Sequence, residues 1–181
     1  MSDALQATRD WLERGVIGLN LCPFAKAVHA KGQIRWVESA ARQPLELLHE
    51  LVRELRLLAA ADPEAVDTTL LVCPHTLARF DDFVEFTAVA DEALAGLGLT
   101  GTLQIAHFHP RYRFEGVPAR DPSHATNRAP HPTLHLLREA SIARAVAAYP
   151  DAKAIYGRNI ETLRRLGLAG WRAVLAGTAP P

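Results

Sequence analysis

Three short apolar runs alternate with two amphipathic stretches, and that order restricts the fold more than any other feature of the chain. The runs are QIRWVE (Gln33 to Glu38), Thr68 to Val72 and Thr102 to Phe108, each of strand length. Pro44 to Ala61 places Leu45, Leu48, Val52 and Leu55 at helical spacing. Residues from about Leu77 to Leu97 do the same with Phe80, Phe83, Val84, Ala88 and Leu94. Strand, helix, strand, helix, strand predicts two consecutive right-handed crossovers. The expected fold is α/β: a small, mainly parallel sheet of about three strands covered by helices. An α+β sandwich with some antiparallel pairing is the alternative.

The flanking segments read as helices. Asp3 to Arg14 is one, closed by Gly15. Pro23 suits the first position of a short helix that Gly32 stops. Pro132 opens another, running to about Ala148, and Asp151 caps a last one ending near Gly167. With no internal repeat or linker, residues 1–181 are expected to form one domain, with 176–181 a loose tail. A composition of 49% hydrophobic and 22% charged residues excludes general disorder. Twenty basic against 20 acidic residues argues against a dedicated partner in nucleic acid or an anionic membrane. No apolar run is long enough to span a bilayer, and the opening MSDALQATRDWLER is too charged for a signal peptide. Two cysteines outside any CxxC spacing point to reduced thiols and a cytoplasmic location.

Function is expected to reside between His107 and Glu139. This stretch holds five of the eight histidines and five arginines, Arg111, Arg113, Arg120, Arg128 and Arg138. Imidazoles and guanidiniums at that density suit a site for an anion, a metal ion or both. About residues 110 to 131 the chain reads as a long irregular loop, which in a compact domain is usually functional or disordered. Parallel strands would share one carboxyl edge, where open α/β folds place ligands. Glu38, Cys73 and the pair His107/His109 all fall there.

Two imidazoles in H-x-H share a sheet face if the strand continues through them, and so can act as general acid/base or bind a divalent metal ion. Packing or hydrogen bonding of the rings is the competing reading. Glu139 or His135 would complete the metal set. A helix starting at Pro132 would turn free amides toward the loop, an anion site that Arg128 could clamp with Asn127, Arg111 and Arg113. On that helix His135 shares a face with both Arg138 and Glu139. Cys22, just before Pro23, would meet the helix dipole that favours thiolate. A buried structural cysteine is the alternative. GLGLTG (Gly96 to Gly101) spells a dinucleotide-binding pattern but follows a helix and precedes a strand, the reverse of the required context.

Taken together, GLNLCPFA (Gly18 to Ala25), HFHPRYRF (His107 to Phe114) and NRAPHPTLHLLRE (Asn127 to Glu139) resemble a family of bacterial and plant proteins. That family is catalogued as domain of unknown function 1415. The resemblance covers nearly the full length and implies a stand-alone domain, with no reaction or cofactor attached. The expected function is an enzyme acting on a small anionic metabolite, with His107 or His109 in acid/base or metal-assisted chemistry. A non-catalytic protein that binds an anion or an acidic partner is the second expectation, and a thiol-redox role for Cys22 the third.

Overall fold

Pro44 at the first helical position and Glu46, whose carboxylate accepts the Gln43 N–H at 3.1 Å, fix the start of the first crossover helix. In the computed structural model, which describes residues 1–149, 151 and 154–178, that helix is α3 of the six α-helices that accompany four strands among those residues. Their order is α1 (Asp3–Asp10), α2 (Ala25–Ala30), β1 (Ile34–Glu38), α3 (Pro44–Ala60), β2 (Thr68–Val72), α4 (Phe80–Gly96), β3 (Leu103–Phe108), β4 (Thr133–Arg138), α5 (Glu139–Ala148) and α6 (Ile155–Leu175). A π-helical segment, Trp11–Ile17, follows α1, and a 3₁₀ helix, Pro122–Asn127, precedes β4.

The strands form a single mixed sheet in the order β1-β2-β4-β3. β1 and β2 are parallel, and β4 runs antiparallel to both β2 and β3. The three expected strands therefore all point one way. The second crossover leaves a vacant position beside β2, and β4 returns to fill it. The sheet has four strands and is mixed, where a mainly parallel sheet of about three was expected. The antiparallel pairing of the alternative fold is present, within one sheet between layers of helices.

The helix expected from Pro132 is the source of that difference. Thr133–Arg138 is a strand paired on both sides, and only from Glu139 does the chain become helical. Leu134 and Leu137, three apart, mimic helical spacing. Leu134 and Leu136, two apart, are the pair that packs against the fully buried Leu47, Leu51, Leu55 and Leu58 of α3 and Phe83 of α4. Each such side chain contributes about 2 kcal/mol on burial. Pro132 lies where the strand begins and gives its carbonyl to the Cys73 N–H at 2.8 Å, a place a proline tolerates.

The opposite face is covered by the π-helical segment and α6 around Trp11, Leu12, Val16, Leu163 and Trp171, with the 3₁₀ helix adding Ala125. Helix 1 does not stop at Gly15. Its turns widen and continue to Ile17, where the lack of a side chain at Gly15 lets the Trp171 ring approach. α4 begins at Phe80, not near Leu77, and α2 begins at Ala25, two residues after Pro23. α6 continues past the expected stop at Gly167, where φ is 68° and the helix breaks, and resumes to Leu175. The expected cap, Asp151, accepts the Ala154 N–H through its main-chain carbonyl at 3.2 Å, one residue before the helix. From residue 179 on, the expected tail lies outside the described residues. No helix among the described residues is long and apolar enough to cross a membrane.

Candidate functional site

Because β1, β2 and β3 point one way and β4 the other, the ends of three strands and the start of the fourth meet at one edge. Across it, in sheet order, lie Glu38 at the end of β1, Cys73 and His75 after β2, His131 before β4, and His109 with Arg111 after β3. Ser2 donates its hydroxyl to the Glu38 carboxylate. Burial lowers the proton affinity of His131, and the charge of His75 adds to that effect. The Glu38 carboxylate opposes both. Cys73 is fully buried, and its thiol is pushed up by desolvation and by Glu50, so it is not a nucleophile.

The arginine side of the edge is built on aromatic rings. Phe80, first residue of α4, holds the Tyr112 ring at 5.3 Å and carries the Arg113 guanidinium over its face at 5.8 Å. Arg113 also lies 3.8 Å from Asp81, an exposed pair. Arg128 is half-buried. Its Nε donates to the Tyr112 carbonyl at 3.1 Å, and it makes no ion pair among the described residues. Burial and the neighbouring Arg113 both lower its pKa, which for a guanidinium still leaves it charged. A cation held beside another cation, with the fork of its guanidinium free, is suited to accepting a bidentate anion. Asn127 supports the arrangement: its Nδ2 donates to the His107 carbonyl at 3.1 Å, and its own carbonyl accepts the His109 N–H at 3.0 Å.

The histidines fall into two kinds. His109 and His124 are fully buried with both ring nitrogens bonded to main-chain groups. His107 and His135 are desolvated and neutral-favouring, His107 with Nε2 buried and without a partner among the described residues. His135 Nε2 lies 2.7 Å from Thr68 Oγ1. Since that hydroxyl donates to the Leu136 carbonyl, the imidazole is the donor between the two.

A family model described as "Protein of unknown function (DUF1415)" matches residues 3–173. The chain belongs to that family. Comparison with curated proteins and with solved structures gives no match.

In this DUF1415 protein the expected site residues do not all converge. His107 and His109 do share a neighbour, the Phe83 ring, at 6.3 and 5.0 Å between centroids. His135 does not join them. It pairs with Ala106 across the ladder while His107 pairs with Leu134, so the two imidazoles project from opposite faces of the sheet. Glu139 and Arg138 sit at the far end of β4. The Glu139 N–H bonds the Thr102 carbonyl, five residues before His107, or roughly 16 Å away at ~3.3 Å per strand residue. The metal set His107, His109 and Glu139 is therefore not assembled. No group of three or more His, Cys, Asp or Glu among the described residues is placed to hold a metal ion.

The predicted anion site on a helix starting at Pro132 is absent because the segment is a strand, and its face-sharing of His135 with Arg138 and Glu139 goes with it. Arg138 is instead a structural cap. Its Nη2 donates to the carbonyls of Leu58 at 2.6 Å and Ala61 at 2.7 Å, the end of α3, and of Val66 at 3.2 Å. Cys22 packs with Trp11, Leu21 and Ala125 on the face away from His107 and His109, which rules out a shared cysteine–histidine site. Glu38 was placed at the edge by strand direction alone. His75 and His131 were not picked out, although each is within three residues of a strand end at that edge, which is the signal that could have found them.

Proposed function

We propose that this protein binds a small carboxylate or phosphate at the carboxyl edge of β1, β2 and β3, and is an enzyme acting on a metabolite of that charge. One observation carries the reading: Arg128 is half-buried beside Arg113, one N–H spent on the Tyr112 carbonyl, with no acidic side chain among the described residues paired with it. Desolvating an uncompensated cation is costly, and an anionic ligand would offset that cost. Arg111 comes from the same loop, and Tyr112 with Phe80 offers an apolar wall. Proton transfer is assigned to His131, with Glu38 and His75 beside it on the same edge, and not to His109, whose nitrogens are both occupied.

The test uses thermal stability against sulfate, inorganic phosphate and citrate, for wild-type protein and Arg128→Ala. At least one anion should raise the melting temperature of the wild type in a saturable way, and the substitution should weaken its binding about tenfold or more, a lost charge-assisted bond. Equal shifts in the two proteins would sink the proposal.

A second reading, binding without chemistry, is favoured by His109 and His124, two imidazoles that serve only the main chain. Incubation with a metabolite extract separates the two. A metabolite consumed by the wild type and spared by His131→Ala supports the enzyme. One retained through Arg128 yet recovered unchanged supports the binder.

A further inference from the structure

His109 and His124 repeat one bonding pattern on one loop. His109 Nδ1 accepts the Arg111 N–H at 3.0 Å, and its Nε2 faces the Leu77 carbonyl at 3.0 Å. His124 Nδ1 accepts the Phe114 N–H at 3.2 Å, and its Nε2 faces the Pro118 carbonyl at 2.9 Å. A backbone N–H can only donate and a carbonyl can only accept. Both rings are thereby fixed as the neutral tautomer with its hydrogen on Nε2. Both are fully buried, so water cannot replace a broken bond at low cost.

Protonation would put a second hydrogen on Nδ1 and turn it against an N–H that also donates. The two contacts bracket residues 111 to 114, which hold Arg111, Arg113 and the Tyr112 carbonyl that Arg128 uses. We infer that His109 and His124 are paired clasps, competent only when neutral, that set the arginine loop, and that acid releases it. The link to ligand binding rests on the anion site proposed above; the clasp itself does not.

The groups around each ring fit this behaviour. His109 meets the rings of Phe80 and Phe83, and among the described residues the charged side chain that acts on it is Arg111. Burial lowers its proton affinity and Arg111 adds to that, against the Leu77 bond, so its switching falls on the acid side of the ordinary imidazole value. His124 stacks on Phe114 at 5.9 Å. Asp121, which caps its 3₁₀ helix, pairs with Arg164 of α6 at 2.8 Å. Leu77, buried with φ at 56°, is held in a conformation that side chains disfavour while its carbonyl receives His109.

Ring nitrogen shifts in a proton–nitrogen NMR spectrum at pH 7.5 should show Nε2–H for both histidines. Amide exchange of residues 111 to 121, corrected for intrinsic rates, should accelerate about tenfold or more between pH 7.5 and 5, a change of ~1.4 kcal/mol in opening. His109→Asn and His124→Asn keep an acceptor near Nδ1 and do not titrate, so a folded variant should lose part of that response. An Nδ1–H tautomer in either ring, or unchanged loop exchange at pH 5, overturns the inference even if both variants fail to fold. Sulfate, whose charge is constant over this range, reports on the link: its stabilisation should vanish at pH 5. Acid-sensitive exchange with no stabilisation by sulfate, phosphate or citrate at pH 7.5 leaves the clasp standing and removes the anion reading.

Discussion

Arg128 and Arg138 are the same residue type ten positions apart, and the structure bonds them differently. Arg138 exhausts one amino group on three carbonyls, whereas Arg128 donates only its Nε–H, to the Tyr112 carbonyl, among the described residues. Sequence density alone could not separate them, because a guanidinium caps a helix and binds an anion with the same hydrogens. Gly15 is decided by contact. A Cβ built there would lie 2.7 Å from Trp171 Cη2 and 3.0 Å from Cζ3, inside the closed cluster around Trp11. Gly15→Ala is expected to cost about 1–3 kcal/mol, the range for overpacking a core, read as a lower urea midpoint at unchanged slope. An unchanged midpoint would mean that the π-helical segment and Trp171 can move apart freely.

At the scale of elements, β4 joins things that the sequence presents as separate. Its last residue, Arg138, ends inside the molecule against the C-terminal end of α3, so a strand stabilises a helix some 80 positions earlier. Arg138→Met keeps most of the apolar stem and strips the donors from three carbonyls. A loss of about 2–4 kcal/mol in unfolding free energy is expected, with faster amide exchange at the last turn of α3. Loss of stability without that local exchange would place its role elsewhere. The crossover helices and three strands were legible because each carries its own periodicity and stops. β4 was not, because a strand buried on both faces has little alternation to show, and Pro132 suits the first residue of a helix as well as of a strand. The shared direction of β1, β2 and β3, and with it the candidate edge, was legible; which side chains face which side of that edge needed the register.

For the molecule as a whole, neutral buried imidazoles set the acid limit of stability. His107, His109, His131 and His135 all have lowered proton affinity from burial, His135 to about 4. The unfolded chain takes up protons near pH 6.5 and the folded one only further down. Stability is thus fully present above that value and is lost as pH falls through it. At pH 5, His135 alone accounts for about 2 kcal/mol relative to pH 7.5. Urea unfolding at the two pH values measures the sum, and His135→Leu should flatten the curve by that share. A flat wild-type curve would contradict the lowered proton affinity of these four rings.

The pairing order has one more consequence. β1 with β2 on one side and β3 on the other share no main-chain bonds, and β4 is the only member that touches both β2 and β3. On a ribosome, which delivers residues in order, the first three strands emerge well before the one that stitches them together. Until Thr133–Arg138 appears, the nascent chain displays two open strand borders, each able to recruit a stranger. The nascent chain's most exposed moment to misassembly therefore comes after β3 has emerged, just before the central seam closes.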